Sequence, residues 1–151
     1  MMRKLILCLF MLVAFTSVSA QVAGAETKID TLEVVSKKHP LEAVANAIIK
    51  VESGGNPRAH NPNGDCAGIL QITPVCVKQV NIWLAQEKSK KRYTLKDRYN
   101  VEKSMEMFYI VQAHFNPQND VERAIRIWNG GAGFTKRGTQ RYYNKVMSYL
   151  E

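Results

Sequence analysis

The chain has 151 residues, 46% of them hydrophobic and 23% charged, with 21 Lys and Arg against 13 Asp and Glu for a net charge of +8. Such proportions belong to one packed globular domain; they exclude a chain disordered throughout and a multidomain one. Three cysteines are too few for a disulfide scaffold, and nine glycines with five prolines exclude collagen-like and low-complexity classes.

Arg3 and Lys4 precede an apolar run over residues 5–15, and Val18-Ser19-Ala20 has the small-x-small form of a signal-peptidase site. Residues 1–20 are therefore expected to be a cleaved signal peptide, with an alternative cut after Ala25. The apolar run falls short of the roughly 20 residues a membrane-spanning helix needs, which argues against a permanent anchor. Cys8 is not a lipidation site, because Leu7 stands where a small residue is required. Export to the periplasm or out of the cell is the expectation. Cleavage would remove Arg3 and Lys4 and no acid, leaving +6.

Residues 21–38 read as a flexible lead-in, and 39–151 as the domain proper. Pro40 suits a first helical turn, and Leu41, Val44, Ala45, Ile48 and Ile49 follow at helical spacing until Gly54 and Gly55 end the run. Residues 56–65 are rich in Asn, Pro and Gly and read as loop. A second helix is expected over 74–86, with Val77, Val80, Trp83 and Leu84 inward. Lys88, Lys90, Lys91, Arg92, Lys96 and Arg98 then form a basic stretch, read as a solvated loop. Its functional alternative is attraction to an anionic polymer, and export favours cell-envelope material over nucleic acid.

Asn100 is a good N-cap for a third helix packing through Val101, Met105, Phe108, Gln112 and Phe115. Asn119 and Glu122 make a capping pattern for a fourth helix with Val121, Ala124, Ile125 and Trp128 inward. Gly130, Gly131, Gly133 and Gly138 mark a turn, and a last helix from about residue 139 buries Tyr142, Val146 and Leu150. No strand alternation and no internal repeat is visible. The fold class is all-α.

One residue breaks the apolar pattern. Glu52 follows Ile48 by four positions, Ala45 by seven and Leu41 by eleven, so it shares their stripe. Desolvation there and the negative end of the helix dipole both raise a carboxyl pKa, the property a general acid for glycosidic cleavage requires. Periodicity alone leaves the alternative open, a helix-end glutamate that reaches solvent past Gly54.

The stretch Val51-Glu52-Ser53-Gly54-Gly55-Asn56-Pro57 resembles the glutamate-serine motif of soluble lytic transglycosylase-type (SLT, goose-lysozyme-like) murein transglycosylases. Gly68-Ile69-Leu70-Gln71-Ile72-Thr73-Pro74 resembles that family's Gly-Leu-Met-Gln segment. Ile127-Trp128-Asn129-Gly130-Gly131-Ala132-Gly133 resembles its Ala-Tyr-Asn-Ala-Gly loop, with Trp128 in the tyrosine's place. Thr139-Gln140-Arg141-Tyr142-Tyr143 resembles its closing Thr-x-x-Tyr segment, and residues 95–101 its Asp-Pro-x-x-Asn-Ile helix start, without the proline. The four full motifs, in order, carry the resemblance, which spans 41–149; the 95–101 segment matches only in part.

It implies a single lysozyme-like helical domain with a glycan-binding groove, and a cofactor-free peptidoglycan lytic transglycosylase. Glu52 would be the one catalytic acid/base, cleaving between N-acetylmuramic acid and N-acetylglucosamine to leave anhydro ends. Ser53, Gln71, Asn129, Tyr142 and Trp128 would be substrate-binding. Ser53 can equally be a plain helix-end hydroxyl, and Trp128 or Tyr142 plain packing. Asp65, the nearest acid in sequence, reads as a loop carboxylate. Cys66 and Cys76, the two cysteines left after cleavage, either pair as a disulfide in an oxidising compartment or stay reduced. His39, His60 and His114 lack metal-ligand spacing, so no metal is expected. The expected partner is the peptidoglycan glycan strand, bound by a monomer. The rival functions are a muramidase that cleaves the same bond with water, and a non-catalytic glycan-binding component of a secretion or conjugation apparatus.

Overall fold

The computed structural model describes residues 38–150. The expected signal peptide, its alternative cut after Ala25 and all but the last residue of the lead-in lie outside the described residues.

Helix α1, Glu42–Ser53, forms where the apolar spacing places it, and Gly54 ends it in the left-handed region at φ 63°. Leu41, Val44, Ala45 and Ile48 are buried, so the stripe that also carries Glu52 is the one that faces the interior. Around it close Met107 and Phe108, Ile125, Leu70, Ile72, Val80 and Val146, all essentially without exposure. Burying each of the larger side chains contributes about 1.5–3 kcal/mol.

The stretch read as structureless loop contains a small antiparallel hairpin: β1, His60–Asn61, pairs with β2, Cys66–Ala67. Strands two residues long cannot show alternation, which is why the sequence conceals them. Ala67 bridges back to Ile72 through Ala67 N–H to Ile72 O at 3.1 Å and Ile72 N–H to Ala67 O at 2.9 Å, closing 68–71 into a tight loop. Helix α2, Pro74–Gln86, starts on Thr73, whose hydroxyl accepts the Cys76 N–H at 3.2 Å. Its inner face is the expected Val77, Val80, Trp83 and Leu84.

In the basic stretch Lys88, Lys90, Lys91, Arg92 and Lys96 are exposed as expected, and Arg98 departs from expectation. Thr94 and Asp97 form a capping box for a 3-10 turn, Leu95–Tyr99, and Arg98 within it is buried. The Arg98 guanidinium donates to Leu95 O at 3.0 Å, Asp65 O at 2.6 Å and Ile72 O at 3.1 Å, and sits 3.4 Å from the Asp65 carboxylate. It stitches the hairpin and the 68–71 loop to the turn, a structural task for a residue counted as solvated charge.

Helix α3, Val101–Phe115, is capped by Asn100 as expected. Its buried stripe is Ser104, Met107, Phe108, Val111 and Gln112; Val101 is 48% exposed because the first turn projects beyond the core. Helix α4, Val121–Gly130, is capped by Asp120, whose carboxylate accepts the Arg123 N–H at 2.6 Å, and not by Asn119, which sits at φ 55° in the preceding turn. Helix α5, Lys136–Met147, begins three residues earlier than expected: Thr135 caps it by accepting the Gly138 N–H at 3.1 Å, so Gly138 belongs to the first turn. Among the described residues no helix is long and apolar enough to cross a membrane.

Candidate catalytic groove

The C-terminal end of α1, the 68–71 loop, the start of α2 and the last turn of α4 enclose a groove of about 540 Å³. Its size is that of an ordinary small-ligand site. Glu52, Gln71, Trp128 and Asn129 all line it, so residues 77 positions apart in sequence converge there. Among the described residues Glu52 is the one carboxylate that lines the groove. The floor and far end are apolar, from Ile72, Val75, Trp83, Val111, Phe115 and Ile127.

Glu52 sits half-buried on the last turn of α1, and burial pushes its carboxyl above the usual carboxylate range. Two neighbours on α5 oppose that: the Tyr142 hydroxyl donates to Glu52 Oε1 at 2.6 Å, and the positive charge of Lys145 favours the ionised form. Burial outweighs both. The Tyr142 phenol is itself held far above its ordinary range, by burial and then by the adjacent carboxyl, so it stays a donor at any working pH.

Gln71 adopts φ 49°, uncommon for a residue with a side chain. It is held there by its own loop: its N–H donates to Gly68 O at 3.1 Å, and its side-chain amide donates to the same oxygen at 3.0 Å. One amide hydrogen is engaged in this way, which leaves the second hydrogen and the side-chain oxygen to offer to a ligand. Gly68 is required at φ 78°, and a Cβ there would stand 1.7 Å from the carbonyl oxygen of Arg98. Asn129 is exposed on the last turn of α4, its amide open to the groove.

Trp128 both packs and lines. Its indole N–H donates to Leu70 O at 3.2 Å and its ring leans on Phe108 at 5.1 Å, while another part of the ring faces the groove. Ser53 is committed elsewhere: its hydroxyl donates to Ile69 O at 2.8 Å and accepts the Gly55 N–H at 3.2 Å, tying the 68–71 loop to the end of α1. It makes no hydrogen bond to Glu52. Asp65 is paired with Arg98 and does not line the groove.

Of the two alternatives for Cys66 and Cys76, the structure has the unpaired one. Cys66 and Cys76 both line the groove wall as free thiols. Cys66 Sγ turns toward Gly64 O at 3.5 Å, and Cys76 on the first turn of α2 is buried enough that its thiol is pushed up to about 11. Among the described residues no three His, Cys, Asp or Glu side chains gather as a metal site.

Sequence reasoning missed Val75, Gln79 and Phe115 as lining residues, and read Trp83 only as core. It also missed Arg126, which is buried at 2% exposure. The spacing of Glu122 and Arg126, four apart on one helix, was the available signal.

A mostly helical domain with a half-buried glutamate at the mouth of a sugar-sized groove defines the lysozyme-like class. A family model described as Transglycosylase SLT domain matches residues 32–150, and the chain belongs to that family. The family cleaves glycan, and its members act on peptidoglycan outside the cytoplasm. No curated protein and no solved structure matches the chain.

Proposed function

We propose that this protein is an exported peptidoglycan lytic transglycosylase, cleaving between N-acetylmuramic acid and N-acetylglucosamine with Glu52 as its one acid/base. The observation that carries the reading is the isolation of Glu52: among the described residues no second carboxylate lines the groove to act as nucleophile or to activate water. The protonated carboxyl gives its proton to the glycosidic oxygen as the C1–O bond breaks, and N-acetylglucosamine leaves as the alcohol. The resulting carboxylate takes the proton from the muramic C6 hydroxyl, whose oxygen bonds to C1 and closes the 1,6-anhydro ring. Glu52 ends protonated, and no water is consumed. An intramolecular hydroxyl already within reach gains the advantage of proximity over a diffusing nucleophile.

The groove supports each role. Burial favours the acid form at the start, and the Tyr142 hydroxyl steadies the transient carboxylate. Gln71 and Asn129 offer amides to sugar hydroxyls and N-acetyl groups, and Trp128 offers a ring to the sugar face. Digestion of purified murein, with mass analysis of the fragments, tests the proposal. Fragments ending in anhydromuramic acid are expected. Reducing muramic ends would assign a hydrolase, and undigested murein a binding protein.

A further inference from the structure

Arg126 lies on α4 and does not itself line the groove, though Ile127 and Trp128 beside it do; its guanidinium is buried against the start of α5. Nε donates to Glu122 Oε1 at 2.8 Å. Nη1 donates to Lys136 O at 3.0 Å and to Thr139 Oγ1 at 2.9 Å, and Nη2 to Gln140 Oε1 at 2.8 Å. The guanidinium also lies over the Tyr143 ring, 4.4 Å from its centroid. One side chain thus holds two residues of the first turn of α5, Lys136 and Thr139, and two further along it, Gln140 and Tyr143. The helices meet closely beside it: a Cβ on Gly130 would stand 2.8 Å from Thr139 Cγ2.

We propose that Arg126 is a positioning residue for the reaction, fixing the rotation and axial place of α5 so that the Tyr142 hydroxyl meets the Glu52 carboxyl. Thr139 and Gln140, its bonded partners, precede Tyr142 by three and two positions on the same helix, so a rotation of α5 that strains the clamp also swings the phenol. A hydroxyl-to-carboxyl bond of 2.6 Å tolerates little displacement before it weakens. The guanidinium's fork is what the site needs, because an ammonium cannot reach the carbonyl, hydroxyl and amide oxygens together in one plane. The catalytic consequence rests on the reading of Glu52 as acid/base; the mechanical coupling does not.

The test is direct titration of the Glu52 carboxyl by carbon NMR on glutamate-labelled protein, with Glu52→Gln assigning the signal. From α5, Tyr142 and Lys145 face Glu52; from the groove wall come the thiols of Cys66 and Cys76, and among the described residues α4 lines the groove with no titratable side chain. Tyr142→Phe removes a bond to the charged form and is expected to move the Glu52 midpoint to higher pH. Arg126→Lys keeps the positive charge and is expected to move it the same way by at least half as much. The double variant should show no more shift than Tyr142→Phe alone. An unmoved midpoint in Arg126→Lys accompanied by a lower melting temperature would make Arg126 purely structural and overturn the proposal, as would additive shifts in the double variant. Should Arg126→Lys fail to fold, Gln140→Ala removes a single clamp bond at an exposed position and should reproduce part of the shift; an unmoved midpoint there overturns the proposal as well. Activity of Glu52→Gln on murein is read separately: cleavage by that variant would end the acid/base reading and leave the NMR coupling to stand or fall by itself.

Discussion

Glu52 carries opposite demands for chemistry and for stability. A carboxyl whose pKa is raised in the folded state contributes against folding once ionised: the native state is unpenalised below the unfolded value and loses stability as pH rises through the folded one. Glu52→Gln is therefore expected to abolish murein cleavage and to raise the melting temperature more at pH 8 than at pH 4, read by thermal denaturation at both. An equal effect at the two values would mean that burial does not penalise the charge. The proposed acid role also sets the sign of a kinetic effect. Because the Tyr142 bond favours the ionised carboxyl, Tyr142→Phe should move the alkaline limb of the activity profile to higher pH while lowering the maximal rate. Cys76 gives a further residue-level expectation. Its thiol, pushed up to about 11, remains protonated at pH 8, so iodoacetamide should modify it slowly in the native protein and rapidly in urea.

At the scale of elements, the 68–71 loop shows how backbone and side chains divide the work. Gly68 and Gly54 both have positive φ, at 78° and 63°, yet only the first faces an obstacle, the Arg98 carbonyl. Gly54→Ala should cost the left-handed penalty of about 1–2 kcal/mol. Gly68→Ala must also displace Arg98 from the hairpin and is expected to cost well over that, about 3 kcal/mol or more, as compounded strain and lost hydrogen bonds. Urea denaturation of the two variants separates strain from collision. Asp97, held at about 2 by Lys103 and the Thr94 capping bonds, stabilises its turn above the ordinary carboxylate range and loses that contribution as pH falls toward 2. The element-level misreadings share a cause. Hairpin strands of two residues lack a period, and Asn119 and Asp120 are both competent caps, so local pattern could not choose between them.

For the whole molecule, the groove depends on a core contributed by every helix. Phe108 is fully buried on α3 and packs at a tilt against Trp128, ring centroids 5.1 Å apart, and Trp128 lines the groove. Phe108→Ala should cost about 3–5 kcal/mol of stability through the cavity it leaves. Activity should fall further than stability predicts, because Trp128 loses the surface that seats it. Activity and urea titrations on the same preparation compare the two losses.

Periodicity in the sequence placed Glu52 on the buried stripe, and the helices that build the core follow from apolar spacing with capping residues, because those forces act within a few residues of one another. The motif order likewise brought Gln71, Trp128, Asn129 and Tyr142 forward as companions. Tertiary structure alone decided what each companion does: Tyr142 bonds Glu52 across 90 positions, Ser53 turns to Ile69, and Trp128 reaches Leu70 across 58. It alone turned Arg98 from surface charge into a buried clamp and made a second clamp of Arg126. A charged side chain is buried only when several oxygens converge on it; the Glu122–Arg126 spacing shows one of them locally, but the oxygens from other segments belong to the packed chain.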